Sequence, residues 1–211
     1  MKITKYVHSC LLVESNDKTA IFDPGSMSYD SFDLDSLNSL NDIFITHSHG
    51  DHFHLPFVKE LVEKFPDVRI TAPEDVVETL KENSIKASSD ASEGVTFFES
   101  PHEVTEPLFP TPSEAGIHYL DSLSHPGDSH SFTETKQILA LPITAPWGAT
   151  IKGVNLAIKL KPKYVIPIHD WHWSEDARHG MYDGIEKAFA NEDITFFRPE
   201  TGEAMDIPID V

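Results

Sequence analysis

Apolar residues along this chain fall in short runs of about four to six positions, separated by polar turns. Ile3 to Val7 and Cys10 to Glu14 read as strands, with a turn at "SNDK" (15–18) and a third strand at Thr19 to Phe22 that ends in the turn "DPGS". Ile43 to Thr46 is a short apolar strand. The period then changes. Leu55, Val58, Leu61, Val62 and Phe65 share one helical face, and Pro56 sits in the first turn, where a missing N–H costs nothing. Val68 to Ala72 reads as a strand, Pro73 to Asn83 as a helix and Val95 to Phe98 as a strand. The proline-rich stretch 101–116 reads as a loop. Ile117 to Ser122 and Gln137 to Pro142 read as strands flanking the polar loop "HPGDSHSFTETK". Ile151 to Leu160 is helical, Lys163 to Ile168 a strand and Ser174 to Ala190 a helix. Ile194 to Phe197 and Glu203 to Ile207 close the chain as strands. Each half runs strands first and then alternates helix with strand. That order predicts an α+β protein with two packed sheets and outer helices, not one doubly wound sheet.

With 211 residues, the chain suits a single domain spanning 1–211, large enough to need no disulfide or metal staple for its core. Sixteen basic residues against thirty-five acidic ones give a net charge of −19. Such a surface repels nucleic acid backbones at long range. No run reaches the roughly 18 to 20 apolar residues of a membrane span, and the N-terminus lacks a leader-like core. Cys10 stands alone, so no internal disulfide forms. The expectation is a cytoplasmic protein, with Cys10 as inert packing in a buried strand.

The fourth strand changes the picture. "DIFITHSHGDHFH" (42–54) turns from apolar to wholly polar and carries four histidines. His47, His49, Asp51 and His52 form an H-x-H-x-D-H pattern. Imidazole and carboxylate are what a borderline divalent ion prefers, zinc first, with manganese or iron also suited. His47 and His49, two apart, project to one side in extended backbone, while adjacent Asp51 and His52 point apart. One loop thus offers donors to two ions. Gly50 is expected to allow its tight backbone. Packing explains such a cluster poorly, because neighbouring imidazoles repel when protonated.

Two ions need further ligands, and the same position type recurs. His102 follows the strand Val95 to Phe98, Asp128 lies in a Gly-containing loop, and His169 follows Lys163 to Ile168. The other histidines read differently. His8 is a turn or core residue between two strands, His54 a rim residue and His118 part of a strand. His125 and His130 flank Asp128, His172 lines a pocket near His169, and His179 is solvated on the last helix.

The motifs "THSHGDH" (46–52), "SPH" (100–102), "PGDS" (126–129) and "IPIH" (166–169), with the opening "HSCLLVES" and "AIFDPG", resemble the metallo-β-lactamase superfamily, in order and over nearly the whole chain. The absence of a T-x-G-H continuation after "SPH" departs from the glyoxalase II type. The layout is more similar to the compact L-ascorbate-6-phosphate lactonase-like branch. The resemblance implies a four-layer αβ/βα sandwich with two divalent metal ions. It implies that His47, His49 and His102 hold one ion, that Asp51, His52 and His169 hold the other, and that Asp128 bridges them.

The implied chemistry is hydrolysis of a small ester, lactone or phosphodiester by water activated between two ions. Asp51 is the candidate for taking the proton from that water. His125 is the candidate for orienting substrate or donating a proton. Trp147, Trp171 and Trp173 either wall the pocket or pack the core. The competing readings are a nuclease or phosphodiesterase acting on RNA or DNA, which the charge disfavours, and a non-catalytic or diiron redox module. The expected partners are a small-molecule substrate and at most further copies of the chain, with no nucleic acid and no membrane.

Overall fold

The computed structural model describes residues 1–15 and 17–209, and it divides into two compact units, residues 1–93 with the stretch from Glu200, and residues 94–199. Asn16, in the expected turn at 15–18, lies outside the described residues.

The first unit carries β1 (Lys2–Lys5), β2 (Leu11–Ser15), β3 (Lys18–Phe22), α1 (Ser26–Tyr29), a 3₁₀ turn (Leu34–Ser36), β4 (Asp42–Phe44), α2 (Leu55–Lys64), β5 (Arg69–Thr71), α3 (Glu74–Glu82) and, from the far end of the chain, β12 (Ala204–Asp206). Its sheet runs β12-β1-β2-β3-β4-β5. The β12, β1, β2 and β3 pairings are antiparallel, and those of β3, β4 and β5 are parallel. Phe57, Val58 and Leu61 of α2 and Val76 and Leu80 of α3 bury against Ile21, Ile43, Ile45 and Ile70. These are the helical faces that the 3.6 period marks out.

The second unit holds β6 (Val95–Phe98), β7 (Gly116–Tyr119), β8 (Leu123–His125), β9 (Ile138–Pro142), α4 (Thr150–Leu160), β10 (Tyr164–Ile168), α5 (Glu175–Ala190) and β11 (Thr195–Phe196). Its sheet, β11-β10-β9-β8-β7-β6, repeats the plan of the first: antiparallel at β6, β7 and β8, then parallel through β8, β9, β10 and β11. The central β9 is buried at every position, as a strand covered on both faces must be. Two mixed sheets with helices match the α+β class expected.

Three expectations need correction. The strand expected at Ile117 to Ser122 is a hairpin, β7 and β8, turning at Leu120 and Asp121, both left-handed (φ 49° and 51°). Cys10 precedes β2 and is not in it, though it is buried, and burial pushes its thiol up to about 12. Gly50 is not the glycine that the histidine loop needs. It has no left-handed φ, and a Cβ there would meet nothing within 4 Å.

Candidate metal centre

In both sheets the donor residues follow the C-terminal ends of strands, where ligands of parallel sheets collect. In the first unit, β3 ends at Asp23 and β4 runs on to Thr46 and His47. The strands are in parallel register, and the Asp23 backbone N–H donates to Phe44 O at 2.8 Å. This brings the Asp23 carboxylate under the histidine loop. Oδ1 accepts from the Thr46 backbone at 2.8 Å, and Oδ2 accepts from the Thr46 hydroxyl at 2.9 Å and from His52 Nδ1 at 2.8 Å. The loop then turns tightly, with His52 and Phe53 N–H both donating to His49 O. Gly25 lies against it. A Cβ on Gly25 would fall 1.6 Å from Asp51 O, so no other residue fits without moving Asp51.

His47 and His49 meet edge to face at 4.9 Å and offer donor atoms within 4.8 Å of each other. Asp51 and His52 form a separate donor group, which also includes His8. His8 lies in the turn between β1 and β2, as expected, and its side chain also reaches a carboxylate. It is 1% exposed, and its Nε2 lies 3.0 Å from Asp51 Oδ2.

In the second unit, His102 follows β6, and its Nδ1 donates to Glu103 O at 2.5 Å. Asp128 sits after Gly127, whose φ of +65° suits glycine, and a Cβ at Gly127 would come 2.5 Å from the Glu114 carboxylate. That carboxylate accepts from the Asp128 N–H at 2.8 Å. Asp128 Oδ2 lies 3.0 Å from His169 Nε2 and 3.7 Å from His102 Nε2, and accepts from Trp147 Nε1 at 3.2 Å. His169 Nδ1 donates to Thr144 O at 2.8 Å.

One rule covers four imidazoles. His47 Nδ1 meets the Thr46 hydroxyl at 3.1 Å, His52 Nδ1 meets Asp23, His102 Nδ1 meets Glu103 O and His169 Nδ1 meets Thr144 O. An acceptor at Nδ1 fixes the proton there and leaves the lone pair at Nε2, the arrangement that outer partners impose on metal-binding histidines. His169 makes the point most sharply. Both its ring nitrogens face oxygens, and a neutral imidazole can donate from only one of them. A cation at that place, either a proton on Nε2 or a metal ion, lets both contacts stand. The donor set fits a divalent ion.

The remaining expected residues spread out. His125 is wholly buried at the end of β8, and its Nδ1 accepts from Gly127 N–H at 3.4 Å, bracing the turn that carries Asp128. His118 stacks on Phe98 at 4.2 Å and pairs with Ser124 Oγ at 2.9 Å, and burial holds its pKa low. His130 Nε2 donates to Pro142 O at 2.6 Å, His172 meets Thr144 Oγ1, and His54 caps α2 beside Tyr29. His179 is exposed on α5. Trp147 touches the rings of His102, His130 and His169, whereas Trp173 packs on the core and Trp171 is exposed. Glu103 accepts from His130 N–H, Ser131 Oγ and Lys152. Burial opposes its charge, yet these bonds hold its carboxyl below the usual range. Among the described residues no helix is long and apolar enough to cross a membrane.

Residues 2–169 match the family model described as the beta-lactamase superfamily domain. The chain belongs to the β-lactamase superfamily. This superfamily member is 30% identical over 195 residues to Protein Rv0786c of Mycobacterium tuberculosis, covering 87% of this chain and 90% of that protein. Its structure is similar to that of Igni18, a metallo hydrolase from Ignicoccus hospitalis, at a TM-score of 0.74 and 16% identity over 99% of each chain. It is similar also to the metallo-β-lactamase fold protein YhfI of Bacillus subtilis, at a TM-score of 0.67 and 16% identity, covering 97% of this chain and 98% of that one. The fold expected from the motifs is therefore the fold observed.

Proposed function

We propose that this chain is a hydrolase that uses two divalent ions, zinc first, on a small ester, lactone or phosphodiester. The observation that supports it most is the Nδ1 anchoring of His47, His52, His102 and His169, together with the two oxygens facing His169. His47, His49 and His102 would hold one ion and Asp51, His52 and His169 the other, with Asp128 as a further ligand. When bound, such a pair lowers the pKa of water towards neutrality and polarises a substrate oxygen.

The protein's own residues do the rest. Asp23, Glu103 O and Thr144 O orient the imidazoles, and Trp147 Nε1–H steadies Asp128 Oδ2. Asp51, its side chain 27% exposed, is open enough to receive the proton from the attacking water. The Trp147 indole gives an apolar wall to the donors of its own unit. We assign no proton transfer to the buried His125. Lactones come first in the substrate panel because of the compact motif layout, and the charge of −19 disfavours nucleic acids. The lone buried Cys10 suits a reducing, cytoplasmic setting.

The test is elemental analysis of protein purified without added metal, beside His47→Ala and Asp128→Ala, followed by a panel of lactones, esters and phosphodiesters. About two equivalents in the parent, reduced in both variants, and turnover of one substrate class are expected. A parent that holds no metal and cannot be loaded overturns the reading.

A further inference from the structure

The seven donors proposed above leave out His8, and the first unit gives it an unusual setting. It stands in the β1–β2 connection, where Tyr6 N–H donates to Cys10 O at 2.9 Å. Its φ is 69°, a left-handed conformation that a residue with a Cβ adopts uncommonly. A turn alone would be met more readily by glycine or asparagine. The side chain is sealed from solvent, and it faces polar groups. Its ring meets that of His52 edge-on at 5.2 Å, and its Nε2 lies 3.0 Å from Asp51 Oδ2. His8, Asp51 and His52 each offer a donor atom, all within 4.8 Å of one another. The backbone thus holds an uncommon conformation, and its effect is to bring a third donor to two that the sequence pattern already pairs.

We propose that His8 is itself a ligand of the ion held by Asp51 and His52. This rests on the dinuclear reading above. With His8 included, the first unit alone would supply three donors to this ion, His8, Asp51 and His52.

The test uses cobalt(II) as the probe, titrated into the metal-free full chain and followed by visible absorption. His8→Gly is the main variant, because glycine accepts the left-handed φ and leaves room for an imidazole. His8→Asn, also tolerant of that φ, runs beside it, and circular dichroism of both apo forms checks the fold. The parent should take two equivalents. His8→Gly should take the first as the parent does and the second at least tenfold more weakly, with an altered spectrum. Millimolar imidazole should restore both the affinity and the spectrum of His8→Gly. A variant that titrates like the parent overturns the proposal. So does a weakened second equivalent that imidazole leaves unchanged, since His8 would then act from outside the shell. A parent that takes up no cobalt overturns instead the dinuclear reading on which His8's role depends.

Discussion

Replacing Asp23 by asparagine tests whether proton placement on His52, and not mere packing, builds the centre. Asp23, Thr46 and His52 are all fully buried. Oδ1 must keep accepting from the Thr46 backbone, so the new amide nitrogen would occupy the place of Oδ2. There two donors now converge on it, the Thr46 hydroxyl and His52 Nδ1–H. The hydroxyl can rotate away. The imidazole can only escape by moving its proton to Nε2, which removes the lone pair a metal would use. Trading charge-assisted bonds for neutral ones, with one donor strained, costs about 2 kcal/mol of apo stability. Loss of an outer partner to a metal-binding histidine costs about 10- to 100-fold in affinity, or about 1.4–2.8 kcal/mol. Urea unfolding of the apo protein measures the first effect, and competition with a chromophoric chelator measures the second. If Asp23→Asn lost about 2 kcal/mol of stability while binding its second ion within twofold of the parent, the tautomer reasoning would be refuted.

Gly25→Ala should displace Asp51 by more than an ångström, because the new Cβ starts 1.6 Å from its carbonyl oxygen. Metal uptake should fall to about one equivalent, read by elemental analysis. Arg69→Ala strands the buried Asp42 carboxylate, which now takes two bonds at 2.9 and 3.0 Å. Because the arginine is nearly half exposed, the cost should sit near 3 kcal/mol, roughly the low end for breaking a buried pair, measured by urea midpoint. Burial, with the Lys136 charge second, lowers the His118 pKa below its unfolded value of 6.5. Between those two values the unfolded chain binds the extra proton, so stability falls as pH drops below about 6.5 and levels off beneath the folded pKa. In His118→Leu the fall in apo stability from pH 7 to 5 should be shallower, and an unchanged slope would count against this assignment.

The donor loop was readable because its chemistry is written in consecutive letters. His47, His49, Asp51 and His52 follow a short apolar strand, and no fold is needed to see them together. His102, Asp128 and His169 were readable by analogy of position, each after an apolar run. Asp23 and His8 were harder. Each acts through a side chain whose direction is set by a left-handed φ, 45° and 69°; aspartate and histidine enter that region more often than most residues, but the letters alone do not mark where. The signal that existed for Asp23 was its place in "FDPG" at a strand end. The β7–β8 hairpin escaped for the same reason. Leu120 and Asp121 turn without the Asn-Gly or Gly-Gly pair that usually marks a tight turn. The helices were the easiest, since Leu55–Lys64 and Glu74–Glu82 bury the stripes that periodicity marks.

Cys10 carries a practical consequence. A thiol sealed in the protein and titrating at about 12 is almost never a thiolate at neutral pH, and the thiolate is the form that alkylating dyes attack. The native chain is therefore a ready background for single-site spectroscopy. A cysteine introduced at the exposed Val104, Leu108 or Trp171 would be the one position labelled, and a fluorophore or spin label there could follow these segments during turnover with no prior removal of native thiols.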